Sequence, residues 1–247
     1  MIPKRIAILG DSWSHGEWSV ISDAETAFSK VTHPGLQHFL LNEWPDLEVV
    51  NFGIAGGGNL YQLDQLQLVL GSKPATDIFD LIICFWTNPG RDVYNTIKDN
   101  TDQFFINYTI EEYEESCMLA NKEHHKALED LNIPVILIGG QVSLPLFPTA
   151  KNLIPLVPRM ANCVTHPFWD MDNMEEEKGT IDNCIDYEQL TMIPSGKFND
   201  KFKVQLDEKI KQDYCLNYNY FNDLGHGNRK LHRIVADKVI KEVGQWK

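Results

Sequence analysis

The sequence predicts an α/β fold, a three-layer α/β/α sandwich built on a parallel sheet of about five strands. Three observations carry this. Four short apolar runs, rich in β-branched residues and each closed by a turn former, fall within the first 140 residues. Continuous runs of that kind suit strands buried on both faces. Helical patterns lie between them, and strand–helix alternation implies right-handed crossovers with helices covering both sides of the sheet. The chain of 247 residues is 43% hydrophobic and 23% charged, enough for one large core without disulfides or a structural metal.

Taken in order, the strands are Arg5–Gly10, Leu47–Ile54 (LEVVNFGI), Asp80–Trp86 (DLIICFW) and Ile133–Gly140 (IPVILIGG). A helix is expected over His33–Trp44, with Leu36, Phe39, Leu40 and Trp44 on one face. A second runs over Asn59–Leu70, with Leu60, Leu63, Leu66 and Leu70 apolar and Asn59 read as its N-cap. The longest spans Thr109–Leu131, and Asn228–Val243 closes the chain with Leu231, Ile234, Val235, Val239 and Val243 on one side. Residues from about 141 to 222 break the alternation and are read as a long insertion before the last helix. Within it, Met160–Val164 is a weak candidate for the fifth strand and Phe202–Tyr214 for a short helix. No internal repeat or linker composition divides the chain, so residues 1–247 are read as a single domain.

Charge narrows the function classes. The chain carries 35 Asp and Glu against 22 Lys and Arg, a formal net charge of −13. An acidic surface repels phosphate, so nucleic acid is not an expected partner. The five cysteines, Cys84, Cys117, Cys163, Cys184 and Cys215, contain no C-x-x-C pair, which removes zinc-finger and thioredoxin-type readings. No stretch reaches membrane-spanning length and the N-terminal apolar run is too short for a signal-peptide core. The expectation is a cytoplasmic protein with reduced thiols and no membrane partner.

In an open parallel sheet, ligands bind beyond the carboxyl ends of the strands. Gly10-Asp11-Ser12-Trp13-Ser14 follows the first strand, and Asn51-Phe52-Gly53-Ile54-Ala55-Gly56-Gly57-Gly58-Asn59 includes and follows the end of the second. Trp86-Thr87-Asn88-Pro89 follows the third, and Asp223-Leu224-Gly225-His226 stands before the last helix. Together they hold the parts of an acyl-transfer site. Ser12 needs a neighbouring base to act as a nucleophile, and His226 fits that role. Asp223, three residues earlier, is placed to fix the imidazole tautomer and stabilise its cation. The backbone N–H groups of Ser12 and Gly56 and the side-chain amide of Asn88 are candidate oxyanion donors.

These four segments resemble the blocks of the SGNH hydrolases, also called the GDSL esterase/lipase family. ILGDSWS matches the nucleophile block at Ser12. VVNFGIAGGGN fits the Asn-x-Gly-x-x-Gly block, with its oxyanion glycine at Gly56. Asn88 matches the third block, and DLGH matches Asp-x-x-His at Asp223 and His226. The blocks run in family order from residue 5 to residue 226. The resemblance implies a flavodoxin-like sheet of five parallel strands and a metal-independent serine ester hydrolase without a cofactor. Three positions depart from the pattern. Trp13 replaces the usual leucine, Trp86 and Pro89 replace the residues flanking the third block, and Gly227 replaces the proline that often follows the histidine.

Other readings compete at several residues. Asp11 and Ser12 are also good helix caps, and Asp223 suits a turn. His15 is an alternative base close to Ser12. The Gly56–Gly58 run lacks the lysine of a P-loop and the G-x-G opening of a dinucleotide site. The acidic run Asp170–Glu177 invites a calcium reading, but Met174 and Glu175 stand where an EF-hand needs an oxygen ligand and a glycine. His124-His125 lacks metal-ligand spacing and is read as exposed on the polar side of the long helix. Trp13, Trp18 and Trp86 are read as cleft or core, and Phe147, Phe168 and Trp169 as a possible lid. The expected substrate is a small-molecule or glycan ester, with deacetylation of a carbohydrate favoured on aromatic content. A short-chain lipase or thioesterase, and a non-catalytic SGNH-like domain that binds a glycan or partner, are the alternatives.

Overall fold

The computed structural model describes residues 2–23, 26–93, 109–140, 144–145, 150–158, 160, 227 and 229–246. Five strands form one all-parallel sheet: β1 (Arg5–Leu9), β4 (Glu48–Asn51), β5 (Leu81–Trp86), β6 (Val135–Gly139) and β7 (Leu153–Val157). Their spatial order is β4-β1-β5-β6-β7. Counted within this sheet alone, that is 2-1-3-4-5, the doubly wound order of flavodoxin-like folds. The expected α/β sandwich is therefore the observed one. The order reverses at β1 and β5, so the crevice that such a sheet offers a ligand lies beyond their carboxyl ends.

The alternation of side chains across the sheet builds two cores. Ile6 and Ile8 of β1, Leu81, Ile83 and Phe85 of β5, and Ile136 and Ile138 of β6 face one layer. They pack there against Leu36 and Leu40 of α2 (Leu36–Glu43) and against Leu231, Val235, Val239 and Val243 of the C-terminal helix, α5 (Arg229–Gly244). Ala7, Leu9, Ile82, Cys84, Trp86, Val135 and Leu137 face the other layer. Their partners are Leu63, Leu66 and Leu70 of α3 (Asn59–Leu70) and Leu128 of α4 (Ile110–Asp130). All six residues of β5 are buried, as expected of a central strand, and each large apolar side chain so placed contributes roughly 1.5–3 kcal/mol. Helix α4 starts at a reciprocal cap: Thr109 Oγ1 accepts from Glu112 N at 3.2 Å and Glu112 Oε2 accepts from Thr109 N at 2.8 Å.

Several expectations need correction. The fifth strand is Leu153–Val157, not Met160–Val164. Met160 is buried in the core beyond it, and residues 161–164 lie outside the described residues. The run LIPLV contains Pro155, which argues against a central strand but is tolerated at a sheet edge, where β7 lies. The stretch from 141 to 222 thus begins with part of the sheet. A two-stranded antiparallel hairpin, β2 (Glu17–Asp23) and β3 (Thr26–His33), follows the first block where the sequence pattern shows no strand pair. His33 ends β3, so the helix expected from His33 starts at Leu36. Asn59 is the first residue of α3 and not its cap. Of the two readings of Trp13 and Trp86, cleft or core, the structure shows core: they are 2% and 1% exposed.

His124 is also corrected: it is fully buried, not exposed. Its ring lies edge-on to Trp86 with centroids 4.6 Å apart, and its Nε2 is 3.5 Å from Cys84 Sγ. Burial pushes the His124 imidazole down to about 3 and the Cys84 thiol up to about 12. The candidate helix Phe202–Tyr214, the acidic run Asp170–Glu177, the lid aromatics Phe147, Phe168 and Trp169, and Cys163, Cys184 and Cys215 lie outside the described residues. Among the described residues no helix is long and apolar enough to cross a membrane.

Candidate active site

The first segment leaves β1 at Leu9 and turns at once into α1 (Ser12–His15). Asp11 is its cap. The Asp11 carboxylate accepts from Trp13 N at 2.9 Å, and its backbone carbonyl accepts from Ser14 N at 3.0 Å and from Ser14 Oγ at 2.8 Å. Ser12 stands half-buried on the first residue of this turn, beyond the end of β1.

The second segment is stitched onto the first. Phe52 N donates to Ile8 O at 2.7 Å and Ile54 N to Gly10 O at 3.0 Å. Asn51 Nδ2 donates to Ser14 O at 3.0 Å, while Asn51 Oδ1 accepts from Gly53 N at 2.8 Å. His15 Nε2 lies 2.6 Å from Gly53 O, so the ring donates from that nitrogen. A Cβ at Gly53 would overlap Ser14 Oγ, which explains why the Asn-x-Gly spacing ends in a residue without one. Gly57 N then bonds to Ile54 O at 2.8 Å and closes a turn whose third residue is Gly56 at φ 75°. A positive φ at that position is the type II requirement for glycine. Gly56 is exposed, and among the described residues beyond its chain neighbours no atom lies within 4 Å of a Cβ built on it.

The third segment is fixed to both. Asn59 bridges the backbone of buried Thr87 twice, accepting from Thr87 N at 2.9 Å and donating to Thr87 O at 2.9 Å. Thr87 Oγ1 donates to Asp11 Oδ2 at 2.8 Å. Arg91 Nη1 donates to the same Asp11 oxygen and to Thr87 Oγ1, the latter at 2.9 Å. The side-chain carbonyl of Asn88 accepts from Gly90 N at 2.8 Å. With Oδ1 so engaged, the amide end of Asn88 is left as its donor. Three segments named from the sequence are thus joined pairwise at the crevice between β1 and its neighbours.

Asp223 and His226 lie outside the described residues, so the triad is not measured. The chain just beyond them is described. Gly227 is buried, with Met160 and Leu231 around it. Arg229 donates to Glu17 Oε2 through its backbone N–H at 3.1 Å and through Nε at 2.7 Å. Burial pushes the Glu17 carboxyl up, but the bonds and charge of Arg229 outweigh it and hold it below its ordinary value. The first turn of α5 is therefore tied to the residues that directly follow α1.

Sequence reasoning names Asn51, Asn59 and Thr87 within their segments but not as connectors, and does not name Arg91 or Asp92. The signal available for them was that polar residues beside strand ends must find partners once buried. Among the described residues no group of three or more His, Cys, Asp or Glu side chains is placed to hold a metal ion.

No protein-family model matches the chain, and no curated protein matches it. Solved structures are similar to it at low identity. An alpha/beta hydrolase enzyme from the metagenome of Lake Arreo, Spain, is 14% identical, with 98% of this chain and 95% of that one covered at a TM-score of 0.41. An acetylxylan esterase from Geobacillus stearothermophilus is 14% identical, covering 98% and 94% at 0.38. A protein described as a GDSL-like lipase, from Parabacteroides merdae, is 15% identical, covering 97% and 95% at 0.37. Likeness at this level says nothing about substrate or mechanism.

Proposed function

We propose that the protein is a serine ester hydrolase of the SGNH type. Ser12 Oγ attacks the ester carbonyl while His226 takes its proton, and Asp223 orients the imidazole. The oxyanion is held by Ser12 N–H, Gly56 N–H and the Asn88 amide. His226 then protonates the departing alcohol, and water, activated by the same imidazole, releases the acyl group and regenerates Ser12. The observation that carries this reading is the pairwise hydrogen bonding of the Ser12, Gly53–Gly57 and Thr87–Asn88 segments around one crevice. Such prior fixing is what oxyanion stabilisation requires, because each preorganised donor is worth about 3 kcal/mol of barrier.

The natural substrate proposed is a small acyl ester, with an O-acetylated carbohydrate as its first candidate. Burial of Trp13 and Trp86 removes two of the aromatics that favoured a sugar, so short-chain lipase or thioesterase activity stays in the test. The altered third block favours one further reading, a non-catalytic domain that binds a glycan or partner in the same crevice. Turnover of aryl acetate, aryl octanoate and acetylated xylan, with fluorophosphonate labelling, separates these readings. Acetyl preference and labelling lost in Ser12→Ala support the esterase. A Ser12→Ala protein as active as the parent overturns it, and a parent with neither turnover nor labelling leaves the binding domain.

A further inference from the structure

Arg91 lies two residues beyond the segment that departs most from the family pattern, and its contacts give it a task. The Asp11 side chain is 1% exposed and immediately precedes Ser12. It takes hydrogen bonds from Trp13 N, from Thr87 Oγ1 and from Arg91 Nη1. The first two donors are neutral. Among the described residues the cation on Asp11 is Arg91, whose side chain is 28% exposed. Asp11 directly precedes Ser12 and its carboxylate caps the turn that begins at Ser12, so it brings a buried negative charge to the segment on which the proposed reaction develops an oxyanion. In a poorly screened site the repulsion between the two opposes the transition state more than the ground state.

We infer that Arg91 is a positioning residue for the proposed reaction. Its guanidinium cancels the Asp11 charge on the segment that carries Ser12 and, through Thr87, holds the strand end that carries Asn88. The inference rests on Ser12 as the nucleophile. It goes beyond that reading because it assigns the charge balance of the site to a residue outside the four sequence blocks.

The test measures kcat and KM on a small aryl acetate for Ser12→Ala, Arg91→Gln, Arg91→Lys and the double variant Asp11→Asn/Arg91→Gln. Arg91→Gln is expected to lower kcat about 30- to 100-fold with KM changed less than about threefold, the pattern of a lost transition-state effect. Arg91→Lys recovers most of the loss, because it keeps the charge. The double variant is about tenfold more active than Arg91→Gln, since both charges leave together. An Arg91→Gln protein with parental kcat, or a double variant no better than it, overturns the inference. Should Arg91→Gln fail to fold, the double variant is read against the parent: a kcat within about thirtyfold supports the inference and a larger loss overturns it. An active Ser12→Ala protein removes the nucleophile and this inference with it. An inactive Ser12→Ala beside an unaffected Arg91→Gln removes the inference alone.

Discussion

Asp92 Oδ2 accepts the backbone N–H of Asn59 at 3.0 Å across 33 residues of sequence. Its other oxygen accepts from Leu60 N at 3.0 Å. Gly58 makes no side-chain cap, so α3 is capped by a carboxylate borrowed from the loop after β5. This gives the third segment a second hold on the second, beside the Asn59–Thr87 bridge. Asp92 is 4% exposed, and burial pushes its carboxyl up to about 6 despite the amide hydrogen bonds and the nearby Arg91.

A raised carboxyl has a definite linkage sign. Between about pH 4 and pH 6 the folded state holds the Asp92 proton that the unfolded state has lost, so stability on this account falls as pH rises. Asp92→Asn removes the titration. The stability of the parent minus that of Asp92→Asn is therefore expected to shrink by about 2–3 kcal/mol between pH 4 and pH 7.5, two units at about 1.4 kcal/mol each. Urea unfolding of both proteins at the two pH values checks this. A difference that widens with pH would contradict it.

Asn59→Ala tests the bridge itself. It leaves the N–H and C=O of Thr87 without their partners in a buried place, and each orphaned group costs about 1–3 kcal/mol. A loss of roughly 2–5 kcal/mol in unfolding free energy is expected. Because Asn88 follows Thr87 directly, ester turnover should fall through kcat more than through KM. A fully stable Asn59→Ala protein would mean that the loop re-pairs its backbone elsewhere.

Legibility from sequence followed physical range. The buried runs of β1, β5 and β6 and the helix Asn59–Leu70 are local patterns, and each was found within one or two residues. Leu153–Val157 does not read as a strand because Pro155 spoils one in the middle of a sheet but not at its edge, and edge position is a property of the whole fold. His124 reads as polar on a helical wheel full of charge. Its burial follows from the α3 and Trp86 side of the sheet, which lies elsewhere in sequence. The proposed chemistry points to Ser12, Gly56 and Asn88 because it asks for specific residue types at strand ends. It does not point to the residues that support them. Arg91 answers Asp11 across 80 residues and Asn59 answers Thr87 across 28, pairs that no local spacing announces.

Two histidines compete for the base of the proposed reaction, His15 and His226. His15 Nε2 donates to Gly53 O at 2.6 Å, a bond that holds the second segment against the first. His15→Gln retains a side-chain donor and is expected to keep activity within about tenfold of the parent. His226→Asn, which lacks a base, should lose about a thousandfold or more, in the range general-base removal gives. Steady-state kinetics on one aryl ester compares them. A larger loss in His15→Gln than in His226→Asn would move the base to His15.

The buried His124 sets an opposite slope to Asp92. Its imidazole is pushed down to about 3, whereas an unfolded histidine titrates near 6.5. Below that value the unfolded chain binds a proton that the folded chain refuses, so stability falls as pH drops from about 6.5 towards 3. The loss between pH 7 and pH 5 is roughly 2 kcal/mol for one such group. Among the described residues Nδ1 of His124 is buried without a hydrogen-bond partner, so an apolar replacement forfeits little on that side of the ring. His124→Leu is therefore expected to be nearly as stable as the parent at pH 7.5 and more stable at pH 5. Between about pH 4 and pH 6 the Asp92 and His124 slopes nearly cancel, so on these two groups the parent is almost flat there and rises to a plateau by about pH 7, whereas His124→Leu keeps only the Asp92 slope and loses stability as pH rises from about 4.5 to 6.5. Thermal unfolding across pH 4.5–8 measures both curves, and a His124→Leu curve parallel to the parent's would contradict the assignment.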